Sequence, residues 1–164
     1  MIKINGYATA QICLNGHVIN DSVEVYPEDS KKFCIKCGAE TISICKNCNN
    51  RIEGRFHSDD PYYLGVSPYQ RPAYCHNCGK PYPWTLSAIE MASALIAEDE
   101  KLSQAEKDNL VGSLSDILVE TPKTQLATTR IKKALMVCGK FTAEGIRQFV
   151  IDFGCELAKK YSGF

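Results

Sequence analysis

The sequence predicts an α+β protein in which residues 1–84 form short β-hairpins and residues 85–164 form a small bundle of about four helices. Seven of the nine cysteines, all three histidines and six of the seven prolines lie in the first part, which has no long helical pattern. The second part has one proline, and its apolar residues recur at the spacing of amphipathic helices. We therefore expect two domains, 1–84 and 85–164.

Composition and charge limit the classes of function. The chain has 164 residues, with 19 basic and 19 acidic side chains, so it lacks the strong basic excess typical of nucleic-acid-binding domains. No secretory signal peptide is visible, and no apolar run approaches the ~18 residues that a membrane span needs. We expect a cytoplasmic protein with no membrane partner.

Three C-x2-C pairs predict metal-binding turns in the first part. They lie in the segments FCIKCG, ICKNCN and YCHNCGK. Gly38, Asn49 and Gly79 follow the second cysteines, and these residue types tolerate the left-handed backbone that such a turn needs. In a reducing compartment, clustered cysteines bind metal more often than they form disulfides, and the odd number of seven also argues against a closed disulfide set.

The segment CLNGH supplies the two ligands that these pairs lack. Three pairs provide six ligands, whereas two closed tetrahedral zinc sites need eight. Cys13 and His17 flank an Asn15-Gly16 turn, which favours a tight reversal with both side chains inward. We therefore predict two structural zinc ions per chain, with iron as the alternative metal and with these ligands: Cys13, His17, Cys34, Cys37, Cys45, Cys48, Cys75 and Cys78.

The remaining histidines and cysteines are not expected to be ligands. His57 is the substitute ligand should His17 not bind, and His76 lies inside the third turn with its ring toward solvent. Cys138 and Cys155 fall on the inner faces of expected helices, where a free cysteine behaves as a small core residue.

CLNGH followed by FCIKCG resembles the C-x-x-G-H…C-x-x-C-G half of bacterial double zinc ribbon modules. The segments from CKNCNNRIEG to PAYCHNCGKPYPWT resemble a second ribbon, so the resemblance covers about residues 11–85. With its helical tail, the chain resembles a family of bacterial zinc-ribbon proteins of uncharacterised function. The resemblance implies that the Cys-His pair and the next cysteine pair share one zinc, and it implies no activity.

Three pairings of the ligands remain open. Sequential pairing joins positions 13/17 with 34/37 and positions 45/48 with 75/78; it needs only hairpins between the turns and agrees with the resemblance. A RING-like cross-brace would join 13/17 with 45/48 instead, and a nested arrangement would join 34/37 with 45/48. The seven residues between Cys37 and Cys45 weigh against the cross-brace, so we favour the sequential pairing.

Four helices are expected in the second part. Capping-box patterns mark the first two starts and a Thr-Pro pair marks the third, while Gly139 is the expected end of the third helix. The fourth helix is expected to follow a threonine. The expected N-terminal residues are Ser87, Ser103, Thr121 and Thr142.

Charge is segregated within the helical part. Residues 85–120 carry a net charge of −6 and residues 121–164 a net charge of +5. The acidic helices either pack beside the basic ones, or a basic face meets an anionic partner. The candidate residues of such a face are Arg130, Lys132 and Lys133, with Lys140 beside them.

The segment between the second and third cysteine pairs, residues 54–74, is the candidate contact loop. Long loops held by a rigid scaffold often bind partners, and tyrosine and arginine are favoured contact residues. The alternative is that these side chains pack over the metal-binding turns and against Trp84. The candidate residues are Arg55, Tyr62, Tyr63, Tyr69 and Arg71.

No catalytic motif is recognisable, so we expect a non-enzymatic adaptor or regulatory protein. Its partner would be a protein or a nucleic acid, and the helical part is a candidate for homo-oligomer contacts. Two alternatives are a redox or metal-sensing switch that uses the C-x-x-C thiols, and a RING-like ubiquitin-ligase module if the ligands cross-brace.

Overall fold

The computed structural model describes residues 4–63 and 68–163 of the chain. It confirms an α+β architecture and divides the chain into two compact units, Met1–Thr85 and Leu86–Phe164. Short antiparallel strands occur in the first unit, and helices make up the second.

The described part of the first unit contains five short strands in two antiparallel sheets. Strands β1 and β5 form one sheet, and β2 lies between β3 and β4 in the other. A 3-10 turn spans Pro27–Asp29. The strands are β1 (Gly6–Thr9), β2 (Gln11–Cys13), β3 (Val18–Asn20), β4 (Thr41–Ile42) and β5 (Glu53–His57).

The core of the first unit is small and includes metal-ligand candidates. The rings of Tyr82 and Trp84 stack with centroids 4.7 Å apart, and the Trp84 indole N–H donates to the Pro72 carbonyl at 2.9 Å. This core is small for a unit of about 80 residues of loop and short strand. Its buried members are Ala10, Ile12, Ile42, Cys45, Ile52, Cys75, Tyr82 and Trp84.

The described residues form six helical segments, so the expectation of four is corrected. None of these helices combines the length and apolar character needed to cross a bilayer. The segments are α1 (Pro83–Ala97), α2 (Gln104–Val111), α3 (Leu114–Leu118), α4 (Thr124–Val137), α5 (Lys140–Phe153) and α6 (Glu156–Ser162).

Two of the expected helices are each broken once. The second is interrupted at Gly112, after which the buried Ser113 hydroxyl donates to the Asn109 carbonyl at 2.7 Å. The fourth is interrupted at Gly154, where a Cβ atom would collide with the Val150 carbonyl oxygen. At the second break the Cys155 N–H also donates to the distant Ile117 carbonyl at 2.9 Å, a contact that an apolar stripe along one helix does not encode.

The helix starts agree only in part with expectation. The capping box of α2 is confirmed, because Ser103 and Glu106 exchange their hydrogen bonds. Helix α1 begins at Pro83 rather than at Ser87. The third expected helix begins at Thr124 rather than directly after Thr121, because the Thr124 hydroxyl closes the preceding turn by donating to the Val119 carbonyl at 2.8 Å.

Helix α4 ends at Val137 with Cys138 as its C-cap, which confirms the expected end of the third helix beside Gly139. Gly139 also has a second role. It is the N-cap of α5, which therefore starts before Thr142 rather than after it. Its backbone is extended, and its N–H donates to the Asp99 carboxylate at 2.8 Å. A long-range acceptor thus sets this helix boundary.

Candidate metal centres

The three C-x2-C turns share one backbone geometry. In each turn, the N–H of the first cysteine donates to the carbonyl five residues later. The N–H of the residue after the second cysteine donates to the carbonyl of the first cysteine at 2.8 Å. That residue has a positive φ in every turn: +72° at Gly38, +59° at Asn49 and +67° at Gly79. The predicted left-handed positions are confirmed, and this closure holds the two sulfurs of each turn on one side.

The CLNGH segment forms a tight turn of its own. The Cys13 N–H donates to the His17 carbonyl at 3.0 Å, and the Gly16 N–H donates to the Cys13 carbonyl at 2.8 Å. Gly16 has φ +86°, and a Cβ atom there would lie 2.9 Å from the Trp84 Cβ. Glycine is therefore required at this position both by the backbone and by the close approach of Trp84.

The first ligand group contains one histidine and three cysteines. The His17 Nδ1 atom lies 3.5 Å from the sulfurs of both Cys13 and Cys34, and the Cys13 sulfur lies 3.7 Å from that of Cys37. All four ligand atoms lie within 4.8 Å of one another. Four donors from distant parts of the chain thus surround one point.

The second ligand group contains four cysteines. The Cys45 sulfur lies 3.8 Å from that of Cys78, and the Cys48 sulfur lies 3.7 Å from that of Cys75. These four sulfurs also lie within 4.8 Å of one another. The two groups therefore follow the sequential arrangement, and neither the cross-braced nor the nested one.

The donor distances fit tetrahedral metal coordination. With metal–sulfur bonds of ~2.3 Å and metal–nitrogen bonds of ~2.0 Å, a tetrahedron has sulfur–sulfur edges of ~3.8 Å and sulfur–nitrogen edges of ~3.5 Å. The distances in both groups agree with these edges. Disulfide sulfurs would lie ~2.05 Å apart, and the cysteines are free thiols. Both groups are thus able to hold a metal ion.

The thiols of both groups differ in pKa. Backbone donation from Ala39 and side-chain donation from Asn15 lower the pKa of Cys37 to about 6. Burial opposes the same effect at Cys75, but the N–H groups of Cys78 and Asn77 outweigh it and lower that pKa to about 6 as well. At Cys45 burial dominates and raises the pKa to about 11. Each group therefore contains a thiol that ionises readily, which is the form that binds metal.

The chain matches, over residues 6–162, a family described as uncharacterized proteins conserved in bacteria (DUF2321). The chain belongs to this family. The match spans both units and agrees with the expected bacterial, uncharacterised family. Comparison with curated proteins and comparison with solved structures each returned no match.

Three asparagines of this DUF2321 protein contact ligand sulfurs, and the sequence analysis did not identify them. Asn15 donates to the Cys37 sulfur at 3.4 Å, and Asn77 donates to the Cys48 sulfur at 3.6 Å. Asn47 donates to the sulfur of Cys78. In each case the asparagine lies two residues after the first cysteine of one pair and reaches the opposite pair. The repeated C-x-N pattern was the signal that could have found them.

Tyr82 is a further residue of the second group that sequence reasoning missed. Its side chain is 1% exposed, and its hydroxyl is the single buried side-chain N or O atom of the described residues that has no regular hydrogen-bond partner. The Cys75 sulfur is the acceptor beside it, and burial together with this sulfur raises the pKa of Tyr82. A buried hydroxyl of this kind fits a thiolate that carries negative charge on a metal.

The other histidines of the DUF2321 chain lie outside the two groups. The His57 Nε2 atom contacts the buried Ser22 hydroxyl at 2.9 Å, so its ring is engaged away from the ligands. His76 is exposed and contacts the Asn50 side-chain amide at 2.9 Å. Cys138 is buried in the helical unit, as expected, whereas Cys155 is only half-buried and caps α6.

Three of the candidate contact residues of the first unit make internal contacts, and the other two are exposed. Arg55 forms an ion pair with Asp21 at 2.7 Å. The Tyr69 hydroxyl donates to the Glu53 carbonyl at 2.6 Å, and Arg71 donates to the Gly16 carbonyl at 2.8 Å, so both brace the unit internally. Tyr62 and Tyr63 are exposed. Part of the expected contact loop, residues 64–67, lies outside the described residues.

The basic residues predicted in the helical unit all lie on α4, apart from Lys140 at the start of α5. Lys132 and Lys133 are exposed, whereas Arg130 is half-buried and donates to the Ser113 hydroxyl at 3.1 Å. Helix α4 packs against α2 and α3, which belong to the acidic segment. No ion pair joins Arg130, Lys132 or Lys133 to an acidic side chain among residues 4–63 and 68–163.

Proposed function

We propose that this is a zinc-binding, non-enzymatic protein whose two metal ions act as structural cross-links of a double zinc ribbon. The observation that carries the proposal is that each ligand group supplies four protein donors at tetrahedral distances. A catalytic zinc keeps one position open for water or substrate, whereas these positions are filled by the chain. The ions stabilise a unit whose apolar core is small.

Zinc is the metal that suits the donor chemistry of both groups. Three thiolates with one imidazole, and four thiolates, are the common donor sets of structural zinc. Four thiolates alone also suit iron, but the His17 group favours zinc. The asparagine and tyrosine contacts to sulfur supply the outer hydrogen bonds that stabilise metal-bound thiolates.

The adaptor role rests on exposed aromatic side chains that the metal-tied unit presents. Phe56 contacts Tyr7 and Tyr63 edge to face, with ring centroids 5.1 and 5.6 Å apart. Tyr7 and Tyr63 are exposed, and Arg55 lies on the same strand as Phe56. Such a row offers apolar and stacking contacts to a protein or to unpaired bases. Salt-dependent retention on single-stranded DNA or RNA would separate the two classes of partner.

A redox or metal-sensing switch is the second candidate. Cys37 is exposed, whereas Cys13 and Cys34 of its group are buried, so an oxidant reaches this ligand first. The switch predicts that mild oxidant releases one metal ion before the other. The ubiquitin-ligase alternative required cross-braced ligands, and we do not propose it because the ligand groups are sequential.

The metal count tests the zinc proposal. We expect two zinc ions per chain by elemental analysis and native mass spectrometry. His17→Ala should bind one, because the four-cysteine group is independent of that histidine. His57→Ala is the matched control and should keep two, since His57 contacts Ser22 rather than a ligand. One zinc or none in the unaltered protein, or two in His17→Ala, would contradict the eight-ligand assignment.

A further inference from the structure

The solvent face of α4, together with the start of α5, has an unusual composition for an exposed surface. Met136 is 78% exposed and Phe141 is 86% exposed, so both side chains protrude with few neighbours. We call this surface the α4 face. It comprises seven exposed residues: Leu126, Lys132, Lys133, Met136, Val137, Lys140 and Phe141.

The charge of the α4 face has one sign. Residues 121–143 contain five basic side chains and no acidic one. None of these five forms an ion pair with another described residue. The face therefore combines protruding apolar side chains with uncompensated positive charge.

Acidic side chains bound this face without entering it. Glu106 lines a cavity of about 250 Å³ with Arg130 and Lys133, between α2 and α4, and its carboxylate already accepts hydrogen bonds from Ser103. Glu144 lies one helical turn after Lys140 on α5. Acidic side chains thus border the α4 face at Glu106 on α2 and at Glu144 on α5.

The corner between α4 and α5 is fixed by a buried carboxylate. The carboxylate of Asp99, which is 5% exposed, accepts hydrogen bonds from the N–H groups of Gly139, Lys101 and Leu102 at 2.8–3.0 Å. These hydrogen bonds fix the backbone at Gly139. Met136 precedes this corner and Phe141 follows it, and both side chains are exposed to solvent.

We infer that the α4 face docks onto the surface of a lipid bilayer that contains anionic lipids. Exposed lysines beside large apolar side chains on a helix are typical of surfaces that lie in the membrane interface, with the apolar side chains inserted and the lysines at the head groups. This contact is peripheral and needs no spanning helix. It revises the sequence-based expectation of no membrane partner, which considered spans only.

The alternative partners suit this face less well. Three of the four apolar side chains of the face, Leu126, Met136 and Val137, are not aromatic and offer nucleic acid neither hydrogen bonds nor stacking, which leaves Phe141 as the single side chain of the face that can stack on a base. A folded protein partner requires shape complementarity, and it would need grooves that match Met136 and Phe141, which are 78% and 86% exposed and protrude. A fluid interface accepts such a convex surface without a matching groove.

The inference rests on the non-enzymatic binding role proposed above but not on the metal, so its failure would leave the zinc count unchanged. The test is cosedimentation of the zinc-loaded full chain with vesicles of phosphatidylcholine, with or without ~30% phosphatidylglycerol. We expect binding only to the anionic vesicles, weakening as salt is raised. Lys132→Gln and Lys133→Gln should each weaken it about fivefold. Phe141→Ser and Met136→Ser should each weaken it about tenfold.

Met91→Ser is the matched control, because Met91 is an exposed methionine of α1 outside the α4 face. It should bind anionic vesicles like the unaltered protein, and circular dichroism should show equal helix content in all variants. Absence of binding to anionic vesicles at low salt would overturn the inference. Two other outcomes would also overturn the inference if vesicles are not bound. One is retention on single-stranded DNA that Phe141→Ser abolishes, and the other is a dimer that Phe141→Ser abolishes.

Discussion

Tyr82 shows how one hydroxyl connects the apolar core of the first unit to a candidate metal centre. Its ring stacks on Trp84, and its hydroxyl lies beside the Cys75 sulfur without another regular acceptor. An unpaired buried hydroxyl costs ~1–3 kcal/mol, whereas donation to a metal-bound thiolate satisfies it. Metal binding at the second group should therefore also relieve this cost.

Removing that hydroxyl should weaken the second metal site alone. Tyr82→Phe keeps the stacked ring but loses the donor to Cys75, and loss of such an outer hydrogen bond lowers metal affinity about tenfold or more. Competition with a chromophoric chelator measures the affinity. Cadmium-113 NMR assigns the change, since a site with four thiolates and a site with three thiolates and an imidazole give separate signals.

Tyr69→Phe is the matched control for Tyr82→Phe. Tyr69 is a half-buried tyrosine of the same unit, but its hydroxyl donates to the Glu53 backbone carbonyl. This variant should leave both cadmium signals in place. Equal shifts in the two variants would show that the Tyr82 effect is a general consequence of a looser core.

At the scale of elements, Asp99 fixes the helix ends of the second unit. It follows α1 and accepts hydrogen bonds from the loop before α2 and from Gly139 at the α4–α5 corner. Burial would raise its pKa, but the Thr142 hydroxyl and these backbone N–H groups outweigh burial and lower the pKa to about 2. The ionised carboxylate therefore stabilises the folded unit.

Replacing this carboxylate should destabilise the helical unit in a pH-dependent way. The ordinary pKa is 3.8 and the folded value is about 2, so the contribution is complete above pH ~4–5 and is lost as pH falls through ~2. Asp99→Asn should lower the free energy of unfolding by ~2 kcal/mol at pH 7. Urea unfolding followed by circular dichroism at pH 7 and at pH 3 measures the difference, which should shrink at the lower pH.

Glu100→Gln is the control for Asp99→Asn, because Glu100 is the adjacent acidic residue and is exposed. It should change the free energy of unfolding by less than ~0.5 kcal/mol at either pH. A pH-independent loss in Asp99→Asn would contradict the assigned role of the charge.

The helices also show where local patterns are insufficient. The Ser103–Glu106 capping box was predictable, because both of its hydrogen bonds lie within four residues. The break at Gly154 was not, because the Cys155 N–H leaves the α5 pattern to donate to the Ile117 carbonyl at 2.9 Å. An apolar stripe reports which face is buried, but it does not report where a distant carbonyl accepts a hydrogen bond.

At the scale of the whole molecule, the two units rest on different sources of stability. The first contains both ligand groups and a small core, whereas the second buries many aliphatic side chains among its helices. Structural zinc in small domains contributes a large share of the folding free energy. The two units should therefore respond differently to the loss of metal.

Chelation should unfold the first unit and leave the second folded. With excess EDTA at pH 7, the amide NMR signals of Met1–Thr85 should collapse toward random-coil shifts, while those of Leu86–Phe164 stay dispersed. Far-ultraviolet circular dichroism should keep most of its helical signal, and added zinc should restore the spectrum. Simultaneous loss of both sets of signals, or no change in either, would contradict a metal-dependent first unit.

The sequence by itself determined the ligand types, the left-handed positions of the turns and the helical character of the second half. These features follow from spacing within a few residues. Because two tetrahedral sites need eight donors and the three C-x2-C pairs supply six, Cys13 and His17 of CLNGH were added to the candidate ligands. Only the tertiary structure decided which pairs lie together in one group, that Asn15, Asn77 and Tyr82 reach the sulfurs of these groups, and that Phe141 protrudes. Those outcomes depend on contacts between residues far apart in the chain, and the chain path that brings them together is set by packing of the whole unit.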